Sequence, residues 1–562
     1  MIKIKAGLFI FLFFYSFCFS SLLIDGSYYR KVQSYKGTIH IFLYNNSDKE
    51  AKIEKIYYNG EELKDIPDDN CLWYQITPSE IPPKGYCDLK IKQRWDTTKL
   101  MKISFIDTEG RNYETTIEPT SSFLSFVGAY FDNELKNLYI YIQNISSQRY
   151  TLKGLLLNGK DITGDCFIPE REIRAGEKIV VIYGMKQPVN CGQYLYLKGQ
   201  TEQGDNFYTL TRVYGHFVID GYGGDNRQEM NFNKERFDFH YNEKKLSEFS
   251  ELPEFMACHI YDDPACVDGT KKQLLGTSAK EIIERTEKFY QHNKKHPTFI
   301  YSCEHIKPDN YFLYAETTDV FVIDPYEITY YHNPPEKDAY YTQLAKLACQ
   351  PRILWTIPEA FTYRGTRYQT PEEERIIVWS EIGEGSKGIW YFVYDQKIGY
   401  PANKELEEEI KKINWELQKL KDYLIISEPI TRTEKDKMTT YTLLAGDKGI
   451  VLILVNNDHT SNFQEGQKPF EYNPKEKQRL ETAIKEERGH FNNAVSFNFD
   501  IKPYPYQSEI LDKLQAERNV KNHWRNLIVA ATGERVIIVM GALNVILSRV
   551  SGTLTKYYSY IA

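Results

Sequence analysis

Between Met256 and Asp395, short apolar runs repeatedly end in a carboxylate and give way to a segment of helical periodicity. MACHIYDDP stops at Asp262-Asp263-Pro264, VFVIDPY at Asp324-Pro325-Tyr326, ILWTIPEAF at Glu359 and GIWYFVYD at Asp395. Alternating strand and helix signals predict a parallel sheet, and parallel α/β sheets build their sites at the C-terminal ends of strands. Alternate side chains of a strand share a face, which groups His259, Tyr261 and Asp263, then Val320, Val322 and Asp324, then Trp355, Ile357 and Glu359. Asp263, Asp324 and Glu359 are therefore expected to converge at one mouth.

The helical segments carry their own signals. Ser278 and Glu281 form a capping-box pattern, and Thr370, Pro371 and Glu373 form a second, with Pro at the first helical position. Gly385 and Gly388 stop that helix, and a last one begins near Asn403 with Leu406, Ile410, Ile413, Leu417 and Leu420 on one buried face. Upstream the period is that of strands, and the chain repeats. The segment from Ile39 aligns with the segment from Leu138, matching Asn45, Ser47, Asn59 and Gly60 to Asn144, Ser146, Asn158 and Gly159. Each Asn-Gly is a type I′ hairpin signal, because both central residues need positive φ. Each copy has a cysteine pair, Cys71 with Cys87 and Cys166 with Cys191, so two immunoglobulin-like β-sandwiches, each stapled once, are expected. A further bridge between Cys258 and Cys266 would flank the Asp-Asp-Pro turn.

Lys3 and Lys5, the apolar stretch Ala6 to Phe14 and the residues around Ser20 read as a secretory signal peptide. An exported protein is expected, secreted, periplasmic or at the cell surface, with no transmembrane anchor after cleavage. Of nine cysteines Cys18 lies in the signal, and an even remainder in an oxidising compartment is read as a disulfide framework. Neither a cofactor nor a metal is called for, since there is no C-x-x-C and the histidines lack ligand spacing. A net charge of -7 with dispersed Lys and Arg argues against nucleic acid. The 44 tyrosines suit strands and interfaces first and carbohydrate contact second. Oligomeric state is left open.

The expected architecture is multidomain α/β plus all-β. Residues 1–20 form the signal, 21–118 and 119–215 the two sandwiches, 216–425 a TIM-like (β/α)8 barrel, and 426–562 a C-terminal β-sandwich. The helix-like segments 475–487 and 508–518 have no place in that last layer. Only about forty residues separate Gly215 from Met256, room for two strands where a full barrel needs three, so the barrel is expected to be incomplete.

Paired carboxylates on opposite sides of a bond are what glycoside hydrolysis requires, and an aromatic-lined, negative cleft stabilises its cationic transition state. Tyr261, Tyr326, Trp355, Phe361 and Tyr391 offer ring faces, and His259 and Asp324 polar contacts. The motifs Asp262-Asp263-Pro264, Asp319 to Tyr326, Trp355 to Phe361, Pro371 to Arg375 and Gly385 to Tyr391 resemble the (β/α)8 glycoside-hydrolase superfamily over residues 216–425. The resemblance implies an acid/base at the end of strand four and a nucleophile at the end of strand seven, which fall on Asp263 and Glu359. The family usually has Asn-Glu at strand four, and this chain has Asp-Asp. Two readings follow: hydrolysis of a glycosidic bond in a polysaccharide or glycoconjugate, or a carbohydrate-binding or adhesion protein with a relic barrel. A third, metal-assisted hydrolysis by His259, Asp263 and Asp324, lacks a ligand motif.

Overall fold

The computed structural model describes residues 21–33, 36–63, 73–94, 100–117, 123–223, 227–253, 255–264, 267–268, 273–274, 279–303, 311–331, 333–362, 367–435, 438–457 and the strands 527–532, 535–540, 545–550 and 553–557. The expected signal peptide, Cys71, Cys266 and the segments 475–487 and 508–518 lie outside the described residues.

Two successive units are built alike. In the first, strands Leu22–Gln33, Lys36–Asn45, Tyr86–Arg94 and Trp73–Thr77 pair in that order, facing a sheet of Glu61–Glu62, Ala51–Tyr58, Met101–Asp107 and Asn112–Ile117. In the second, Leu124–Phe131, Asn137–Asn144, Lys178–Gly184 and Cys166–Phe167 face Lys160–Asp161, Tyr150–Leu157, Tyr194–Thr201 and Asn206–Arg212. Inward residues of both layers share one core in each unit, such as Ile41 and Leu89 with Phe105, and Ile140 and Val181 with Leu197. The repeat extends to single hydrogen bonds. Asn45 Nδ2 donates to the carbonyls of Lys49 (2.7 Å) and Ile81 (3.0 Å), and Asn144 Nδ2 to those of Gln148 (2.7 Å) and Ile173 (2.9 Å). Asn59 and Asn158 take φ of 49° and 48°, followed by Gly60 and Gly159 at 88° and 77°. This is the hairpin geometry the Asn-Gly pairs predict.

The bridge expected between Cys166 and Cys191 is not formed. Cys166 sits on an edge strand opposite Tyr183 and against the sandwich core, whereas Cys191 joins a different cluster with Tyr130 and Tyr141. The two thiols pack in different hydrophobic clusters, and burial raises that of Cys166 to about 11. Many tyrosines serve contacts between units: Phe42, Tyr196 and Tyr208 form a cluster joining the two sandwiches.

The central sheet has seven parallel strands: β1 (Val218–Gly221), β2 (Asp238–His240), β3 (Ala257–Tyr261), β4 (Thr298–Ser302), β5 (Val320–Ile323), β6 (Ile353–Thr356) and β7 (Gly388–Tyr391). They hydrogen-bond in the order β1-β7-β6-β5-β4-β3-β2, a barrel sequence left open between β1 and β2. The sheet is rolled, because Phe237, just before β2, meets Trp390 of β7 with ring centroids 4.5 Å apart. Where a further strand would lie, Asn233 donates its N–H to the Ile219 carbonyl (2.8 Å) and accepts the Ile219 N–H on its side chain (2.5 Å). Asn233 thus satisfies the free edge of β1, and the seam toward β2 stays without a strand. Phe299, Tyr301, Val322, Trp355 and Trp390 pack inside the roll, while Ile260, Ile300, Phe321 and Leu354 pack outward against helices.

The helices are α1 (Ala279–His292), α2 (Tyr311–Tyr314), α3 (Glu327–Tyr331), α4 (Lys337–Cys349), α5 (Pro371–Gly383) and α6 (Lys404–Leu424). Thr370 and Glu373 complete the capping box of α5, a feature that contributes about 1 kcal/mol. Asn403 caps α6, whose Leu406, Ile410, Ile413, Leu417 and Leu420 are all buried.

Beyond α6, the described strands from Glu428–Lys435 to Thr553–Tyr557 make a single antiparallel sheet of seven. The sequence suggested a separate sandwich. Instead Tyr441, Leu443, Val451 and Ile453 enter the same core as Trp379 and Ile382 of α5. Glu428 ties this sheet to its neighbours, bonded to Lys178 (3.0 Å), Lys346 (3.1 Å) and the Tyr130 hydroxyl (2.6 Å). Among the described residues, no helix is long and apolar enough to cross a membrane.

Candidate active site

The C-terminal ends of β3, β4 and β5 bring three aspartates together. Asp263 follows β3 with φ of 47°, a left-handed turn that ends the strand, and its Oδ1 accepts the N–H of Cys303 after β4 (3.0 Å). Burial raises the Asp263 carboxyl to about 6, helped by the Asp262 charge and opposed by hydrogen bonds from Cys303. Asp324 follows β5 and is 7 % exposed. Burial first, then the charges of Asp263 and Asp262, hold it well above the usual carboxylate range, against a hydrogen bond from Tyr326. Asp262 is raised by burial and drawn back by His240. Burial thus raises all three carboxyls, and the charges of Asp262 and Asp263 add to that of Asp324, so ionising the set together is disfavoured.

Side chains from inside the roll form the floor. Asp324 Oδ1, the Tyr301 hydroxyl and Trp390 Nε1 are buried without a hydrogen-bond partner in the protein, and the Tyr301 and Trp390 rings lie 5.1 Å apart. His259 stacks on Phe299 (5.1 Å); its Nε2 donates to the Tyr261 carbonyl (2.8 Å) and its Nδ1 faces His240 Nδ1 (3.0 Å). Burial and the His240 charge lower it to about 3, so it is neutral and acts as a fixed wall. At the rim Tyr222 is 38 % exposed, its ring 5.9 Å from Trp390 and 5.6 Å from Phe392.

Glu359 is placed elsewhere. It is 0 % exposed, and its two oxygens accept the N–H groups of Ile328 (2.6 Å) and Thr329 (2.7 Å) at the start of α3. Burial raises it to about 7, opposed by those bonds and reinforced by Glu327. Its charge in turn raises Asp338, Glu374 and Glu381, all buried. The expected confrontation of Asp263 and Glu359 across an open cleft is therefore not made. β6 ends at Thr356, and although Glu359 still bridges Phe392 beyond β7, its carboxyl is held by the N–H groups of α3.

The aromatic expectations divide in the same way. Tyr326 lies beside Asp324 and against Phe361 (5.0 Å) and Phe392 (5.8 Å). Trp355 is fully buried between Phe237 and Phe299, and Tyr391 packs outward toward Phe232 and Tyr400. Tyr261 also turns outward, under the Arg285 guanidinium of α1 at 4.7 Å. None of these three forms the floor of the mouth. The residues that do were legible by the same period-two rule: Tyr301 lies two positions from Phe299 in TFIYS, and Trp390 two from Gly388 in GIWY. His240, Tyr222 and Cys303 carried no sequence signal, because they come from irregular strand ends. Among the described residues, no group of three or more His, Cys, Asp or Glu side chains has the arrangement of a metal site.

No family model matches the chain, and no curated protein matches it. Several solved structures are similar to parts of it. A beta-galactosidase from the psychrophilic Marinomonas ef1 is 14% identical over 25% of this chain, with a TM-score of 0.23; the chain covers 26% of that protein. A GH2 beta-galacturonidase from Eisenbergiella tayi, bound to galacturonate, is 10% identical over 68% of this chain and 90% of its own, with a TM-score of 0.25. A family 39 glycoside hydrolase from the gut symbiont Bacteroides cellulosilyticus WH2 is 10% identical over 61% of this chain and 92% of its own, with a TM-score of 0.28.

Proposed function

We propose that the mouth of the rolled sheet hydrolyses a glycosidic bond, with Asp324 as the proton donor and Asp263 as the carboxylate that attacks the sugar carbon or activates water. The observation that carries this reading is a pair of buried carboxyls at the ends of β3 and β5, the second raised by the charge of the first, beside buried polar atoms that lack partners among the described residues. Asp263 receives the hydrogen bonds of Cys303, which favour its anion, whereas the deeper burial of Asp324 favours its protonated form. One acid and one anion at neutral pH is the division of labour that glycoside hydrolysis needs. The Asp-Asp sequence already departs from the family pattern. With Glu359 sealed, the second catalytic role passes to Asp324. Tyr222 offers an exposed ring for a sugar face, and Tyr301 and Trp390 offer a hydroxyl and an indole N–H to its hydroxyl groups.

A panel of α- and β-linked nitrophenyl glycosides tests the proposal. Turnover of at least one, abolished by Asp263→Asn, is the expected result. Asp324→Asn should slow natural glycosides more than activated ones, because a good leaving group needs little protonation. The second reading, glycan binding without cleavage, draws on the sealed Glu359. Saccharide binding without turnover in the wild type would establish it in place of the first.

A further inference from the structure

At the opposite end of the strands, beneath β4, β5 and β6, the two sandwiches and the rolled sheet enclose a cavity of about 410 Å³. Its walls are segment 75–80 of the first unit, segment 190–194 with Arg212 of the second, one face of α1, and segment 316–319 with Arg352. We infer that this cavity is a second ligand site, separate from the mouth, that takes a neutral polyhydroxylated molecule of mono- or disaccharide size.

The wall carries charges of both signs, Lys294 and Lys295 beside Glu50, Glu80 and Glu287, and its two arginines are already engaged. Arg212 bonds Asp319 at 2.5 Å and lies between the rings of Tyr194 (5.0 Å) and Tyr290 (4.1 Å). Arg352 donates to the carbonyls of Glu316 (2.9 Å) and Thr318 (2.7 Å). The Arg212 guanidinium is committed through all three of its nitrogens, to Asp319 and to the carbonyls of Gly192 and Lys294. The buried side-chain atoms of the wall that lack a hydrogen-bond partner among the described residues are neutral, among them Gln75 Oε1 and Thr286 Oγ1, in side chains that are 5 % and 4 % exposed. Gln75 is oriented by its own Nε2, which donates to the Thr317 carbonyl (3.5 Å), so its oxygen is an acceptor that repels anions and suits a ligand hydroxyl. Thr286 can donate and accept. Buried polar atoms in a native protein are rarely left unpaired, and here they line a space within the range of small-molecule pockets, roughly 300–1,000 Å³, at a junction of domains where such pockets concentrate. The inference does not depend on catalysis at the mouth.

Hydrogen exchange on the full-length wild-type protein tests it, with glucose, galactose, mannose, N-acetylglucosamine and lactose as probes and galacturonate and inorganic phosphate as charged counterparts. At saturation, at least one neutral sugar should slow exchange in segments 75–82, 190–194 and 283–294 by about tenfold or more. Gln75→Leu and Thr286→Val should each weaken that protection about tenfold, the loss expected of one hydrogen bond, while Asp324→Asn leaves it intact. Protection by none of the neutral sugars overturns the inference. So does protection by galacturonate or phosphate alone, or protection that Asp324→Asn removes and the cavity variants do not. If either cavity variant fails to fold, the wild-type exchange map still decides.

Discussion

The two groups of acids in the rolled sheet share a composition and differ in what faces them. At the mouth, the Asp263 charge acts on Asp324 beside buried donors without partners among the described residues, and Asp263 remains partly open to solvent. Behind β6, Glu359 is saturated by two helix N–H groups and surrounded by Asp338, Glu374 and Glu381 with no opening to solvent. Both groups have raised carboxyls, so a raised pKa does not by itself mark a catalytic acid. The difference lies in access and in which hydrogen bonds are already made. An acid whose oxygens are committed to a helix terminus stabilises that helix, and an acid with an uncommitted oxygen can meet a ligand.

The sharpest way to break this comparison is by activity. Asp263→Asn should lower kcat/KM on an activated glycoside by about 10⁴-fold, at the upper end for positioned acid–base groups, whereas Glu359→Gln should leave it within a few-fold. Loss of activity in Glu359→Gln with an unchanged melting temperature would reverse the two assignments.

A second effect belongs to the interior group. The folded protein holds the Glu359 proton up to about pH 7, above its unfolded value, so stability should fall as pH rises through roughly 4.5 to 7. That is opposite in sign to ordinary acid denaturation. The slope amounts to about 3 kcal/mol across the window, and Glu359→Gln should flatten it in denaturant melts. A slope unchanged in the variant would count against the burial of that proton. At pH 5 the same variant should lose about 1–3 kcal/mol, because an amide cannot accept both the Ile328 and Thr329 N–H groups, and the deficit should narrow at pH 8.

The smallest effect concerns the mouth. Activity should rise with pH as Asp263 ionises near 6, and removing the Asp262 charge by Asp262→Asn should move that limb downward by about half a unit. An upward or absent shift in the pH–rate profile would remove Asp262 from the set.

Local chemistry was legible wherever it acts over a few residues. The Asn-Gly turns, the capping box at Thr370, the α6 stripe and the shortage of chain before β3 are each written in adjacent or periodic positions. The mouth was legible in part: Asp263, Asp324, Tyr326 and His259 follow from strand ends, and Tyr301 and Trp390 were available to the same rule. At the ends of the strands, however, side chains are aimed by whatever packs on them. Glu359 was drawn to α3, Tyr261 to Arg285 and Tyr391 to Tyr400.

The sequence by itself therefore determined the elements, their order and the repeat of the two sandwiches, because turns, caps and periodicity are short-range. Only the tertiary structure decided the rest. It set Cys166 and Cys191 in different hydrophobic clusters, laid the first C-terminal strands on α5, and separated the open acids from the sealed ones. Each of those outcomes turns on which side chains distant in sequence exclude water from a group, and burial of that kind is a property of packing that no local pattern encodes.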